Sequence, residues 1–303
     1  MRIEILGAES LGVRGLCCLV ETAGRRIVID PGVALGYRRQ GLLPHPLQVA
    51  AGEDVRAAIV CGLQTATDVV ISHFHGDHMP LVYANPFQLS LARVIDLLKS
   101  TRLWIKRVSG ESRRVARRRQ QLLAALERAP APCDNGTYGP LAFSVPMPHG
   151  PADRPMGTVM MTRVMEGNDV FVHASDIQLL ADAPIEAILR WEPRVVLTSG
   201  PALYRNPSAG ELARARERVL LLTRYVDVCI IDHHILRSQA GAGWLDDLHR
   251  DTGGRVLCAA DFMGWPRRLL ESARAELYAQ FPVPRGWHDR YARGQAGTQP
   301  YRL

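Results

Sequence analysis

His73-Phe74-His75-Gly76-Asp77-His78 follows directly on Thr67-Asp68-Val69-Val70-Ile71-Ser72. The apolar run reads as a buried strand ending in a turn, so four metal-capable side chains crowd into six positions at a strand's C-terminal end. In an extended chain alternate residues share a face, which aims His73 and His75 the same way. Gly76 permits the turn that brings Asp77 and His78 round from the other side. One cation cannot easily take all four at normal bond lengths, so the spacing favours two metals about 3.5–4 Å apart.

These residues match the His-x-His-x-Asp-His signature of the metallo-β-lactamase superfamily, and the chain resembles that family at four further stations. An Asp closes an early strand in Arg26-Ile27-Val28-Ile29-Asp30-Pro31-Gly32. A third His, His149, follows Pro146-Met147-Pro148, and Asp176 ends the strand-like run Val170-Phe171-Val172-His173-Ala174-Ser175. A late His is offered twice, in Ile230-Ile231-Asp232-His233-His234. Order and spacing agree over roughly residues 1 to 240. The phrases Gly7-Ala8-Glu9-Ser10-Leu11-Gly12-Val13-Arg14, Asp30-Pro31-Gly32-Val33-Ala34-Leu35-Gly36 and Ile231-Asp232-His233-His234 look closest to a branch of predicted metallo-hydrolases without a settled substrate. The resemblance implies an α/β fold, a four-layer αββα sandwich with two mixed sheets and helices outside. Only 57 steps separate Asp176 from His233, too few for the extra domain of the superfamily's capped nucleases.

The composition agrees with such a domain. A chain of 303 residues with 47% hydrophobic and 22% charged residues buries a large core and is not disordered. The N-terminus enters a strand pattern at once, and no apolar run reaches about 18 residues, so neither a signal peptide nor a membrane span is expected. Six scattered cysteines, several in apolar strand-like runs, read as buried free thiols of a reducing, cytoplasmic compartment. The net charge of +7 sits in one place: nine basic residues against Glu111 and Glu127 between Arg102 and Arg128. Arg113, Arg114, Arg117 and Arg118 lie opposite an apolar stripe of Val115, Leu122 and Leu126, the pattern of a solvated helix face. A localised basic excess also fits anionic partners, a small anionic substrate or nucleic acid. The sequence leaves the oligomeric state open.

Along the chain, residues 1–30 read as strands joined by the Ala23-Gly24 turn, and 31–66 as a long structured loop. Residues 86–128 read as helical and 140–175 as strands. Then come a helix at Pro184–Trp191, a strand at Arg194–Thr198, a helix at Ser208–Tyr225 with a capping box, a strand at Val226–Ile231 and a helix at Trp265–Phe281 with Pro266 at its first turn. One domain is expected over 1–281 and an extended C-terminal tail over 282–303.

Mapped by resemblance, His73, His75 and His149 hold a first metal, Asp77, His78 and the late His a second, and Asp176 bridges both. Zinc is the expected metal, two ions per chain, with manganese or iron as alternatives. The resemblance implies a hydrolase whose nucleophile is a hydroxide between the metals, which Asp77 also orients, acting on a phosphoester or other anionic substrate. Asp30 reads as a residue that fixes a ligand imidazole's tautomer, or as a turn initiator. Side chains alternate at a strand end, so one of His233 and His234 faces the cleft easily. His233 is favoured as the ligand, which leaves His234 to protonate the leaving group. His173 reads as a satisfied core histidine, and His45, His249 and His288 as surface residues. Arg38, Arg39 and the loop Thr198-Ser199-Gly200-Pro201-Ala202-Leu203-Tyr204 are candidates for shaping the pocket. The same hydroxide attacks carbonyls, so an ester, lactone or amide hydrolase is an alternative. A mononuclear-iron sulfur dioxygenase is another, because those oxidoreductases keep the His-rich motif. Diiron members of the superfamily usually carry Glu where this chain has His75.

Overall fold

The computed structural model describes residues 1–107, 111–128, 130, 132–151 and 157–302. Three antiparallel strands come first: β1 (Arg2–Gly7), β2 (Cys17–Thr22) and β3 (Arg25–Ile29). They are followed by α1 (Pro46–Gln64), β4 (Asp68–Ile71), α2 (Ile95–Ser100), β5 (Arg102–Ile105) and α3 (Arg113–Leu126). One sheet has the order β1-β2-β3-β4-β5, with β3, β4 and β5 parallel. The second half holds β6 (Thr137–Tyr138), β7 (Leu141–Phe143), β8 (Met147–Pro148), β9 (Thr158–Val159), β10 (Thr162–Glu166) and β11 (Asp169–Ser175). It continues through α4 (Asp182–Arg190), β12 (Val195–Thr198), α5 (Ala209–Leu222), β13 (Val228–Ile231), α6 (Gln239–Asp251), β14 (Val256–Leu257) and α7 (Ala259–Met263). Last come α8 (Arg274–Gln280) and α9 (Trp287–Ala292). The second sheet runs β14-β13-β12-β11-β10-β7-β6, parallel from β11 to β14 and antiparallel elsewhere. β8 and β9 pair separately.

Alternation along the strands builds the layers. Cys18 and Val20 of β2 and Ile27 and Ile29 of β3 share a core with Phe171, Val196 and Ile230 of the second sheet. Their neighbours Cys17, Leu19 and Val28 turn to the other face and pack on Val55, Ile59 and Leu63 of α1. Helices α4 to α6 pack on the second sheet through Ile188, Val219 and Leu245. This is the αββα sandwich: each sheet buries one face on the other sheet and one on helices. Adjacent Cys17 and Cys18 thus occupy two cores, and all six cysteines are free thiols, Cys61 exposed and the rest buried. Parallel strands end on a common edge, so the exits of β4, β11 and β13 bring His73, Asp176 and His233 together.

Four expectations are corrected. The loop assigned to 31–66 contains α1, nineteen residues long, with Pro46 in its first turn and His45 as N-cap accepting from the Leu47 amide. The helical reading of 86–128 is interrupted by β5, where Leu103 and Ile105 enter the core. The helix expected over Trp265–Phe281 is confined to Arg274–Gln280, because upstream amides bond elsewhere: Arg268 N donates to Ser10 O at 2.7 Å. Of the expected tail 282–303, the described residues 282–302 are not extended. They form α9, bury Trp287 in the core behind α1, and pair Arg302 with Glu53.

Glu271 fastens this C-terminal segment to the loop before α1. It is fully buried, accepts from Arg14 Nε at 2.7 Å and Gly36 N at 3.2 Å, and neighbours the equally buried Arg274. Burial opposes its charge, yet the Arg14 guanidinium holds its carboxyl down to about 2, below the ordinary 4.5. A depressed carboxyl contributes stability that is present above its unfolded value and lost as pH falls through its folded one. Glu271→Gln is therefore expected to cost about 3–5 kcal/mol near neutrality, as for breaking a buried ion pair. The gap to the parent protein in urea titrations should shrink as pH falls from 4.5 towards 2. A pH-independent gap would contradict this role.

Candidate metal centre

Eight side chains converge where the parallel strands end: His73, His75, Asp77 and His78 after β4, His149 after β8, Asp176 after β11, and His233 and His234 after β13. The strand exits are bent by non-glycine residues in the left-handed region, Asp30 (φ 50°), Ser175 (φ 51°) and His233 (φ 75°). Such conformations persist only where the surroundings over-determine them, and they cluster at functional sites. Gly76 does not take a positive φ, and a Cβ there would meet only the flexible ends of Leu81 at 3.0 Å and Arg118 at 3.2 Å. Gly32 is required for space, since a Cβ there would lie only 2.1 Å from the Met79 nitrogen.

Asp176 divides the cluster in two. Its Oδ2 lies 3.3 Å from His73 Nε2, 3.6 Å from His75 Nδ1 and 3.2 Å from His149 Nε2. Its Oδ1 lies 3.1 Å from His78 Nε2 and 3.5 Å from His233 Nε2, and the latter is 3.5 Å from Asp77 Oδ2. Four ligands at the usual zinc bond length of about 2.0–2.1 Å form a tetrahedron with edges of about 3.3–3.4 Å. The distances from Asp176 to the nitrogens of both sets, 3.1 to 3.6 Å, bracket that edge. Among the described residues, His73 Nε2, His149 Nε2 and Asp176 Oδ1 are moreover buried without a hydrogen-bond partner, a cost a coordinated cation would remove. The residues fit divalent cations.

The surroundings prepare the donors. Asp30 accepts from the Ser72 amide (2.8 Å), the Ser72 and Ser175 hydroxyls (2.6 and 2.7 Å) and His78 Nδ1 (3.0 Å). That fixes the proton of His78 on Nδ1 and turns Nε2 to the centre. Burial opposes the charge of Asp30, but the His78 bond holds its carboxyl below the usual carboxylate range. Burial and the neighbouring His78 push the His73 imidazole down to about 3, leaving it a neutral donor. Asp30→Asn is expected to weaken metal binding about 10–100-fold by chelator competition, with the fold retained. Unchanged affinity would remove Asp30 from the centre.

The alternation expected of His233 and His234 does not hold. His233 is left-handed and His234 helical (φ −61°, ψ −40°), so both rings enter the cleft, stacked with centroids 4.7 Å apart. His233 joins Asp77 and His78, while His234 joins His149 and Asp176, its Nε2 3.5 Å from Asp176 Oδ2. His234 Nδ1 has no hydrogen-bond partner among the described residues. Burial pushes both imidazoles well below their ordinary values, Arg237 adding to it. His75 and Asp77, with side chains 28% and 20% exposed, mark the opening.

The family model of the metallo-beta-lactamase superfamily matches residues 12–79, which contain Asp30 and the His73–His78 motif. A UPF0282 protein of Methanosarcina mazei is 46% identical over 304 residues, covering all of both chains. The chain belongs to the UPF0282 family. A second member, from Methanopyrus kandleri, is 32% identical over 91% of this chain and 99% of its own. Among solved structures, Tm1679, a metal-dependent hydrolase of the beta-lactamase superfamily, has a TM-score of 0.52 at 15% identity, over 85% of this chain and 95% of that one. CmlA, a diiron beta-hydroxylase from Streptomyces venezuelae, has 0.50 at 14% identity, over 84% and 52%. At such identity the likeness establishes the fold, and the two neighbours differ in chemistry.

Several residues of this UPF0282 protein escaped the sequence reading. Buried Arg237 donates through Nη2 to Asp77 Oδ2 (3.2 Å), through Nε to Glu9 Oε2 (3.2 Å) and through Nη1 to the Tyr204 hydroxyl (3.1 Å). Its Nη2 lies 2.7 Å from His233 Nε2. Asp232 holds the His233 turn by accepting from Ser10 N (3.1 Å) and Ala259 N (2.9 Å). The phrase Glu9-Ser10 thus serves the centre from 222 positions away or more. Arg38 bonds Gly41 O within its own segment, and Arg39 pairs with Glu271 of the C-terminal segment. His173 is buried and bonded to Leu16 O at 2.8 Å. The three histidines expected at the surface are not exposed: His45 caps α1, His249 bonds Val256 O, and His288 bonds Pro44 O. No helix among the described residues is long and apolar enough to cross a membrane.

Proposed function

We propose that this protein is a hydrolase working with two divalent cations, zinc first, on a phosphoester or similarly anionic substrate. The observation that carries the reading is Asp176, each of whose carboxylate oxygens faces its own set of nitrogen and oxygen donors. His73, His75 and His149 would hold one cation, Asp77, His78 and His233 the other, with Asp176 between them. When bound, the pair supplies Lewis acidity and lowers the pKa of an attacking water towards neutrality.

The chain's own groups supply the rest. Asp77, at the opening and tethered to Arg237, orients the attacking water by accepting its hydrogen bond. His234, neutral and with Nδ1 uncommitted, takes up the proton released on attack and passes it to the leaving oxygen. Arg237, bonded to Asp77 and Glu9, holds the Asp77 carboxylate in place, and the basic face of α3 favours an anionic substrate over a neutral ester or lactone.

A panel of chromogenic phosphodiesters, phosphomonoesters, esters and lactones, assayed with protein loaded with defined metal, tests the reading. Turnover is expected on phosphodiesters. Turnover confined to lactones or carboxylic esters would replace the phosphoester substrate while keeping the hydrolase.

A further inference from the structure

We infer that a cavity behind the metal motif binds the phosphates of a single-stranded nucleic acid. The inference rests on the phosphoester reading and deepens it by naming the substrate class. The cavity, of about 390 Å³, is walled on one side by Arg114, Arg117 and Arg118 of α3 and on the other by Tyr83, Asn85 and Gln88. Positions 114, 117 and 118 fall on one helix face, while Val115, Leu122 and Leu126 turn into the core. Among the described residues no carboxylate lines the cavity, and none of the three arginines is paired with one.

The cavity adjoins the site. Arg118 Nη1 lies 3.5 Å from Phe74 O, within the His73–His78 loop. The amide oxygens opposite are already committed: Asn85 Oδ1 accepts from Phe87 N at 2.9 Å and Gln88 Oε1 from Asn85 N at 3.0 Å. Their NH2 groups are left as donors, so the wall is rich in donors and positive charge and suits an anion rich in acceptors. Guanidinium forks match phosphate oxygens.

Two features favour a strand over a lone phosphate or a lipid surface. Three guanidiniums spread over more than one helical turn exceed what one phosphate needs. Tyr83 is 78% exposed at the rim, where a ring interleaved with arginines offers a stacking surface for a base. The one aliphatic residue of the lining, Leu81, is buried, so there is no apolar face to enter a bilayer.

The test is fluorescence anisotropy of a labelled single-stranded oligonucleotide with the full-length, metal-loaded protein. R114Q/R117Q is expected to weaken binding about tenfold or more and to make the log–log salt dependence shallower by roughly 1.4, about 0.7 for each phosphate no longer neutralised. Tyr83→Ala is expected to weaken it roughly fivefold or more through the loss of stacking. R224Q/R293Q, which removes equal charge from exposed positions elsewhere, should not change it. All four arginine positions are at the surface, and thermal melting of each variant checks the fold. Equal affinity of the pocket variants and the parent protein would overturn the inference. So would displacement of the oligonucleotide by inorganic pyrophosphate at equal phosphate concentration, which would make this a small-anion site. Hydrolysis of bis(p-nitrophenyl) phosphate by the parent protein checks the chemistry separately. Its absence alongside pocket-dependent binding would sink the phosphoester reading only, and its presence with unaltered variant binding would sink the cavity only.

Discussion

Replacing Asp176 with asparagine is expected to lower bound metal from two ions per chain to one or fewer and hydrolysis by about 10³-fold or more. The size follows from position. Asp176 meets His73, His75 and His149 through one oxygen and His78 and His233 through the other. An amide keeps one oxygen and replaces the second with an NH2 that cannot ligate, and it removes a negative charge from among six imidazoles. Elemental analysis and steady-state kinetics on the same preparation check both parts. A variant with two tightly held ions and near-normal rates would show that Asp176 does not bridge.

The second large effect separates His233 from His234. His233 Nε2 lies within 3.5 Å of His78 Nε2, Asp77 Oδ2 and Asp176 Oδ1, and on the proposed assignment His233→Ala is expected to lose one metal equivalent. His234→Ala is expected to keep two and to slow substrates with poor leaving groups by about 10²–10⁴-fold, sparing those with good ones. A series of aryl phosphodiesters graded by leaving-group pKa reads this as a steeper slope. Metal loss only in His234→Ala would exchange the two roles.

The legibility of this molecule follows the range of its interactions. Four ligands in six residues are a local signal, and the apolar strand before them set their direction. His149, Asp176 and the late histidines were legible through resemblance in order and spacing. The Asp30 bond to His78 was foreseen as one of two readings of a strand-ending Asp. Arg237 and Glu9 were not legible, because a buried pair separated by 228 positions leaves no periodic trace. The orientation of His233 and His234 was misjudged because alternation presumes extended backbone, and a left-handed residue ends it.

The fold's errors have similar causes. Helix α1 is buried around much of its circumference, with Gly52 and Gly62 inside it, so its apolar stripe merges into a Gly- and Leu-rich run. Its start was nonetheless written locally, in His45 as cap and Pro46 in the first turn. The four-residue strand β5 alternates exposed Arg102 with buried Leu103, a pattern too short to stand out between helices. The tail after residue 281 lacks helical period, yet Trp287 and Arg302 dock it on α1. The parallel strands that carry the centre were the best read, since β12 and β13 are continuous apolar runs bounded by turns.

The central claim is that two cations share Asp176, and metal content measures it most directly. Elemental analysis of the full-length protein purified without added metal should find two equivalents per chain, zinc foremost, falling to one or fewer in Asp176→Asn. One equivalent of iron with no zinc would contradict the account and point to mononuclear oxidative chemistry instead.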